Sequence, residues 1–340
     1  VHHSVSPDEN VSRRHTPVMI DRVVSYLNEG LAVARSEKRH PVVIDATLGM
    51  GGHTHRLLCD NPDLTIIGID RDTQALQMAQ QRLGEFSDRL VSFHGTYDEI
   101  SAAIQAAETQ LQTRLDGVAG ILFDLGVSSY QLDEPSRGFA YSYDAPLDMR
   151  MDPTDQLTAA DVVNTYSEAD LERVLRNYGD EKFARRIATE IVKTRLQRPY
   201  RGSKELVETI IRAIPAAAAH RGSHPAKRTF QALRVEVNHE LEVLTRAIPA
   251  AMAVLTIGAR MVVMSYQSLE DKIVKKAIQH QAQSLTPAGF PVEVEEYAPV
   301  VKILSKGTEK PTPTEIEQNP RAAAARVRVI EKIRPTRSNG

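Results

Sequence analysis

One stretch limits what this chain can fold into more than any other: Asp45-Ala-Thr-Leu-Gly-Met-Gly-Gly-His-Thr54. The apolar residues 41–45 that lead into it read as a buried parallel strand, and residues 55–59 read as the start of a helix. A strand that breaks into Gly49, Gly51 and Gly52 and then re-enters a helix lets the backbone approach a ligand closely. A second apolar run, 64–70, ends on Asp70. An acid at the tip of the second strand, about twenty residues past the loop, is where the ribose hydroxyls of a nucleoside cofactor are held. Loop and acid together predict a nucleoside-cofactor site, against the plainer alternative of an ordinary glycine turn.

The spacing narrows the choice of cofactor. It is Gly-x-Gly-Gly, and Thr54 stands where a dinucleotide enzyme would place its third glycine. The loop is also introduced by an acid, Asp45. That suits S-adenosylmethionine, whose amino-acid end carries an ammonium group in need of a carboxylate or carbonyl partner.

Composition excludes several classes. The chain of 340 residues is longer than an average domain, and its 41% hydrophobic content is ample for a core. No apolar run approaches the ~18 residues of a membrane span. The single cysteine, Cys59, excludes a disulfide framework and fits a reducing cytoplasm. No metal is expected, since His53 and His55 stand two apart with no second pair at ligand spacing.

Residues 1–14 are polar and lack an apolar h-region, so they read as a disordered leader and not as a signal peptide. Over residues 15–27, Thr16 is suited to cap a helix and Pro17 to take its first position. Val18, Val23, Val24 and Leu27 give that helix an apolar face. Residues 28–40 read as a polar loop.

From residue 41 strand and helix alternate. A helix is expected over 72–83, a strand over 90–94, a helix over 97–112 and an almost wholly apolar strand over 117–125. This alternation predicts a doubly wound, Rossmann-like α/β sheet with ligands at the carboxyl ends of its strands. Asp45, Asp70, the segment His94-Gly95-Thr96-Tyr97 and Asp124 all fall at such ends. The sheet pattern resumes after residue 228 with a long helix over 229–248 and a strand over 258–265. A helix over 268–279 and an antiparallel pair at 300–304 and 326–330 complete it, with a mobile loop expected over 306–319. The expected organisation is a discontinuous α/β domain, 15–131 plus 229–333, interrupted by a helical insertion over 132–228 and followed by a tail over 334–340.

Charge within the insertion is split. Residues 132–181 hold twelve acids against four bases, and residues 182–234 hold thirteen bases against three acids. The basic half includes Lys182, Arg185, Arg186, Lys193, Arg195, Arg198, Arg201 and Lys204. Such a run is either a solvated face or a surface that binds phosphates without regard to sequence.

The fourth strand runs into Asp124-Leu-Gly-Val-Ser-Ser-Tyr-Gln131. In methyltransferases of this fold the turn after strand four lies beneath the transferable methyl group. An exocyclic base amine is a poor nucleophile because its lone pair is delocalised into the ring. It must be oriented, and the charge developing on nitrogen must be stabilised. A carboxylate with exposed turn carbonyls can do both, which makes Asp124 the candidate catalytic residue, with a structural cap as the alternative. A base in folded RNA must also be turned out of its stack to reach such a pocket.

The chain resembles the RsmH (MraW) family, the bacterial 16S rRNA (cytosine(1402)-N(4))-methyltransferases. The resemblance is carried by His15-Thr-Pro-Val18, the loop Asp45 to Thr54, Gly68-Ile-Asp-Arg-Asp72 and Asp124-Leu-Gly-Val-Ser-Ser-x-Gln-Leu-Asp133. It continues through Arg137-Gly-Phe139, Pro146-Leu-Asp-Met-Arg-Met-Asp152, Tyr178-Gly-Asp-Glu-Lys-Phe-Ala184, His224 to Arg234, Ser268-Leu-Glu-Asp271 and Asn319-Pro-Arg321. These motifs follow in order over nearly the whole chain.

The resemblance implies a class I S-adenosylmethionine methyltransferase sheet. It implies cofactor contacts at Gly51, Gly52, His53, Asp70, Tyr97, Asp124 and Gln131, with the Tyr97 ring as a wall for the adenine. It implies that the helical insertion recognises the cytidine and the 16S rRNA, within the small ribosomal subunit, in the cytoplasm. Two departures stand out. Tyr266-Gln267 replaces the Phe-His of many relatives, and Ala324 stands where serine is common. Glutamine cannot titrate, so a proton-transfer role for that histidine does not carry over.

Other readings make different demands. A DNA amino-methyltransferase calls for an Asp-Pro-Pro-Tyr-like turn after strand four, where this chain has Leu-Gly-Val. A non-catalytic rRNA-binding assembly factor could keep the fold, but the retained glycines, Asp70 and Asp124 speak against it. The sequence leaves oligomeric state open, a homodimer included.

Overall fold

The computed structural model describes residues 17–215, 224–287, 289–290 and 292–337. The expected leader and the proposed cap Thr16 lie outside them. The strands are β1 (Val42–Asp45), β2 (Thr65–Asp70), β3 (Leu90–His94), β4 (Val118–Asp124), β5 (Leu255–Ser265), β6 (Val301–Ile303) and β7 (Arg326–Lys332). They form one sheet in the order β3-β2-β1-β4-β5-β7-β6. β1 to β5 pair in parallel, whereas β7 runs antiparallel to both β5 and β6. The chain winds outward from β1 to β3 and then returns to β4, so the switch point lies between the tips of β1 and β4. Ligands of open parallel sheets bind at such a crevice. This is a Rossmann-like α/β fold.

The sheet is covered on both faces, which explains its nearly unbroken apolar strands. Successive side chains of a strand point to opposite faces. Ile44, Ile67, Ile121 and Phe123 accordingly join one buried cluster, and Val43, Ile66, Ala119 and Leu122 join the other. Helices α1 (Ile20–Ser36), α2 (Gly52–Asp60), α3 (Thr73–Arg82) and α4 (Ile100–Leu111) belong to this part of the chain.

The chain divides into two compact units. One comprises the described residues up to Gly126 and from Glu242 onward; the other is Val127–Leu241. The second unit contains α5 (Ser129–Asp133), α6 (Ala159–Thr165), α7 (Glu168–Gly179), α8 (Ala184–Gln197), α9 (Ser203–Ala213) and α10 (Ala226–Asn238). Its core is its own, built from residues such as Leu171, Val174, Ile187, Ile191, Leu206 and Leu233. After it come α11 (Glu240–Val254), α12 (Ser268–Ala282) and α13 (Pro313–Gln318).

Several expectations are corrected. The first helix starts at Ile20, not at Pro17, and continues to Ser36 through the segment read as a loop. Leu31 and Ala34 extend the stripe of Val23, Val24 and Leu27 and are fully buried, while Asn28, Glu29 and Ser36 disguise it from the other face. The long helix expected over 229–248 is two helices, broken where His239 adopts a left-handed conformation with φ of 50°. Phe230, Leu233 and Val237 then pack in the core of the helical unit, whereas Leu244 packs under the sheet. The boundaries therefore fall at 126/127 and 241/242, not at 131/132 and 228/229.

The segment read as a mobile loop contains α13, which Thr312 caps. It is tied to α1 by Tyr26, whose hydroxyl donates to Glu309 at 2.5 Å, and by Arg22, which donates to the Lys310 carbonyl at 3.1 Å. The expected tail is likewise held: Arg334 donates to the Pro299 carbonyl, and Arg337 to the carbonyls of Gln283 and Ala298. No described helix is long and apolar enough to cross a membrane.

Candidate active site

Five polar segments meet the carboxyl rim of the sheet. At the first, β1 ends on Asp45, which is only 2% exposed. Its Oδ2 accepts from the Thr54 hydroxyl at 2.7 Å and its Oδ1 from the Thr47 amide at 3.3 Å. Burial pushes this carboxyl above the usual range, and Thr54 opposes the rise. Asp45 therefore fastens the two ends of the glycine loop to each other. A carboxylate so enclosed is not free to meet a ligand's ammonium directly, which corrects that expectation.

The loop and the acid of β2 are a single construction. Asp70 Oδ2 accepts from the Gly49 amide at 2.7 Å, and Oδ1 accepts from the Asp72 amide at 2.9 Å. Burial raises the Asp70 carboxyl to about 6 against the pull of these two amides, and the charges of Asp72 and Asp45 add to the rise. Asp72 in turn caps α3, accepting from the Gln74 amide at 3.0 Å.

The glycines differ in what they do. Gly51 has φ of 73°, and a Cβ there would fall 2.6 Å from Leu83 Cδ1, so packing against α3 demands it. Gly49 has φ of 51° with no atom nearer than 3.9 Å to its missing Cβ, so the loop is open at that point. Gly52 is the first residue of α2, and His53 and Thr54 follow within the helix, earlier than the sequence pattern indicated.

His53 is 6% exposed. Its Nε2 lies 3.0 Å from the Val18 carbonyl, an acceptor only, so that nitrogen carries a proton. Its Nδ1 points at Asp124, with Oδ2 at 3.8 Å.

Asp124 closes β4. Its amide donates to the Thr47 hydroxyl at 2.7 Å, and its Oδ1 accepts from the Tyr266 hydroxyl at 2.7 Å. Burial raises the Asp124 carboxyl above its ordinary value, while His53 and Tyr266 pull it down. Tyr266 itself is held well above 10, because it is buried and faces the Asp124 and Glu270 charges. Its hydroxyl therefore stays protonated and donates. Tyr266 is the partner of Asp124 that sequence reasoning passed over, noting it only as a departure. The available signal was topological: β5 pairs with β4 with Asp124 opposite Met264, so Tyr266 stands two residues beyond that partner.

Tyr97 meets the Phe123 ring edge-on, with centroids 5.8 Å apart at 83°. It thus braces the strand tip that carries Asp124. Gln131 belongs to the helical unit, where its side-chain oxygen accepts from the Ser128 amide at 3.0 Å and the Ser128 hydroxyl accepts from its own amide at 3.2 Å. Gly51, Gly52, His53, Asp70, Tyr97 and Asp124 are thereby gathered in one unit, and Gln131 is assigned to the other.

The basic half of the helical unit is less uniform than its sequence. Arg195 is engaged within the fold, donating to the carbonyls of Val163 and Tyr166 at 2.8 and 2.7 Å. Arg198 pairs with Glu205. Lys182, Arg185, Arg186 and Lys193 are exposed. Among the described residues no group of three or more His, Cys, Asp or Glu is placed to hold a metal ion.

The arrangement can hold a cationic nucleoside. Asp45, Asp70 and Asp124 are three carboxylates that burial makes costly to ionise, with neighbouring acids adding to the cost at Asp45 and Asp70, and a positively charged ligand relieves that cost.

Residues 12–333 match the MraW methylase family. The ribosomal RNA small subunit methyltransferase H of Pseudarthrobacter chlorophenolicus is 56% identical over 327 residues, spanning 96% of this chain and 97% of that protein. The protein of the same name from Renibacterium salmoninarum is 54% identical over 336 residues, spanning 99% of this chain and all of that protein. The one from Micrococcus luteus is 53% identical over 325 residues, with 96% of each covered.

Proposed function

The chain belongs to the MraW methylase family, and from that membership we propose that it transfers a methyl group from S-adenosylmethionine to the N4 amine of cytidine 1402 in the decoding region of 16S rRNA. The observation that carries this reading is the strand-tip rim, where an open glycine loop bonded to Asp70 lies in the same unit as Asp124. The near relatives are named as ribosomal RNA small subunit methyltransferases, which supports rRNA as the substrate class.

The residues present fit the cofactor. Asp70 holds the ribose hydroxyls, since each oxygen spends one lone pair on a backbone amide and keeps another. The first-turn amides of α2, at Gly52 and His53, take the carboxylate end, because a helix leaves those donors unpaired and slightly positive. Tyr97 supplies an aromatic wall. When bound, S-adenosylmethionine supplies an electrophilic methyl group on a positively charged sulfur. Asp124 does the rest: its side chain keeps about a quarter of its surface exposed, and among the described residues its Oδ2 has no hydrogen bond, with His53 approaching to 3.8 Å. It accepts an N–H of the target amine, turns the nitrogen lone pair toward the methyl group, and stabilises the positive charge that develops on nitrogen.

The helical unit supplies the RNA contacts in this reading. Lys182, Arg185, Arg186 and Lys193 stand exposed on α8 and just before it, where they can neutralise phosphates. Work on a ribosomal substrate belongs in the cytoplasm.

The test is methyl transfer from labelled S-adenosylmethionine to purified small subunits lacking the modification, followed by nucleoside analysis. N4-methylcytidine at one site is the expected product, and free rRNA assayed alongside defines the substrate form. Cofactor binding without incorporation into either would instead support a non-catalytic assembly role.

A further inference from the structure

The Tyr266 hydroxyl donates to Asp124 Oδ1 at 2.7 Å from the first position after β5, and the Asp124 amide is fixed by Thr47 at 2.7 Å from the other side. We propose that in this chain Tyr266, where many relatives carry phenylalanine, is a positioning residue of the methyl-transfer site, fixing the rotamer of Asp124 and keeping its carboxylate ionised for the incoming amine. This rests on the function proposed above.

The geometry divides the work between the two carboxylate oxygens. Oδ1 is committed to Tyr266, in the length range of a charge-assisted O–H···O⁻ bond. Among the described residues Oδ2 makes no hydrogen bond and has His53 Nδ1 at 3.8 Å, so it is left to the substrate. A carboxylate without the tyrosine would be free to rotate about its terminal torsion, which is broad and roughly two-fold. It would also lose a donor that favours its charged form.

Among the described residues, the titratable groups that face Asp124 are His53 from α2, Asp45 from β1 and Tyr266 itself, and those that face Tyr266 are Asp124 and Glu270 from α12. Glu270 is itself occupied, accepting from the amides of Tyr266 and Gln267 at 2.9 Å each. The turn that presents the phenol is thereby locked by its own helix cap. Because the phenol is held well above 10, it acts as a donor throughout the neutral range and never as a base.

The sign of the pH effect follows. Removing a donor to the ionised form raises the carboxyl, so the acid limb of the rate profile moves to higher pH. The variant is Tyr266→Phe, which keeps the ring and deletes the hydroxyl. Single-turnover methyl transfer to small subunits, measured from pH 5.5 to 9, should fall about 10- to 100-fold near neutrality, the effect of losing a hydrogen bond to a charged group. Its acid limb should move up by about one unit. Affinity for S-adenosylmethionine should change by less than about threefold, and carbon NMR of labelled aspartate should show the Asp124 carboxyl titrating higher in the variant.

A Tyr266→Phe enzyme with unaltered rate and acid limb overturns the proposal. So does a slower variant whose acid limb and Asp124 titration have not moved, since a merely structural tyrosine would behave that way. A wild type that transfers no methyl group to any rRNA form overturns the functional reading itself, and this proposal with it.

Discussion

The rim of the sheet holds its two half-buried acids in different ways. Asp70, at β2, is gripped by backbone: the amides of Gly49 and Asp72 point at its two oxygens. Asp124, at β4, is gripped by a side chain, the Tyr266 hydroxyl. A backbone grip survives any substitution that keeps the loop conformation, so the Asp70 side of the rim is the fixed one. A side-chain grip changes with one residue, so the Asp124 side is where chemistry can be tuned. Under the proposed function, binding would rest on the main chain and reactivity on the side chains.

The comparison breaks most sharply at Asp124. Asp124→Asn preserves shape but replaces one acceptor oxygen by a donor and removes the charge. Single-turnover transfer should fall about 100- to 1,000-fold, the cost seen when a group aimed at transition-state charge is lost. Cofactor titration and thermal melting should show a folded protein that still binds. Activity close to wild type would remove Asp124 from the mechanism.

Asp70→Asn tests the other side. The new amide faces the N–H of Gly49 or of Asp72, donor against donor, so the loop loses a bond as well as the ribose contact. Calorimetry should show S-adenosylmethionine affinity about 10- to 100-fold weaker. The transfer rate at saturating cofactor should stay within a few-fold. A fall in that saturated rate with unchanged affinity would reverse the assignment of the two acids.

Acidity sharpens the contrast. The Asp70 carboxyl lies at about 6 in the fold, above its unfolded value, because burial disfavours its charge. A carboxyl raised in this way weakens the fold as pH climbs from the ordinary carboxylate range to about 6 and has no further effect above it. For a cationic ligand that needs the ionised form the sign is opposite: affinity should be level above about pH 6 and fall about tenfold per unit below it. Binding measured at pH 5, 6 and 7 checks this. A flat profile would mean that Asp70 does not carry the ligand's recognition.

The smallest effect is expected at Thr47, whose hydroxyl accepts from the Asp124 amide. Thr47→Val leaves that amide unpaired at the strand tip, at a cost of about 1 kcal/mol. Thermal melting should drop by a few degrees and transfer by about fivefold or less. A loss as large as that of Asp124→Asn would show that the backbone grip, not Tyr266, governs the carboxylate.

Much of this was legible in the residues. Apolar runs ending in Asp45, Asp70 and Asp124 announce parallel strands with polar tips, because a strand buried on both faces admits polar groups only at its ends. Less legible were features that depend on what lies opposite. Helix α1 beyond Leu27 was hidden because its outer face is polar, and only Leu31 and Ala34 packing under the sheet reveal it. The break at His239 carries no proline or glycine to mark it. It arises because the residues before and after it pack into different cores.

The sequence by itself determined the α/β alternation, the glycine loop with its acid, and the motif series of the family. These are local, or repeat at the period of a strand or helix, and chain order is enough to read them. Tertiary structure alone decided the partnerships. It enclosed Asp45 between Thr47 and Thr54, where it cannot serve a ligand directly. It spent Arg195 on carbonyls and left Lys193 exposed. It brought Tyr266 to Asp124 across 142 residues of chain, because β5 lies beside β4 in the sheet. A hydrogen bond requires two groups within about 3 Å, and only the folded sheet sets such distances between residues so far apart in sequence.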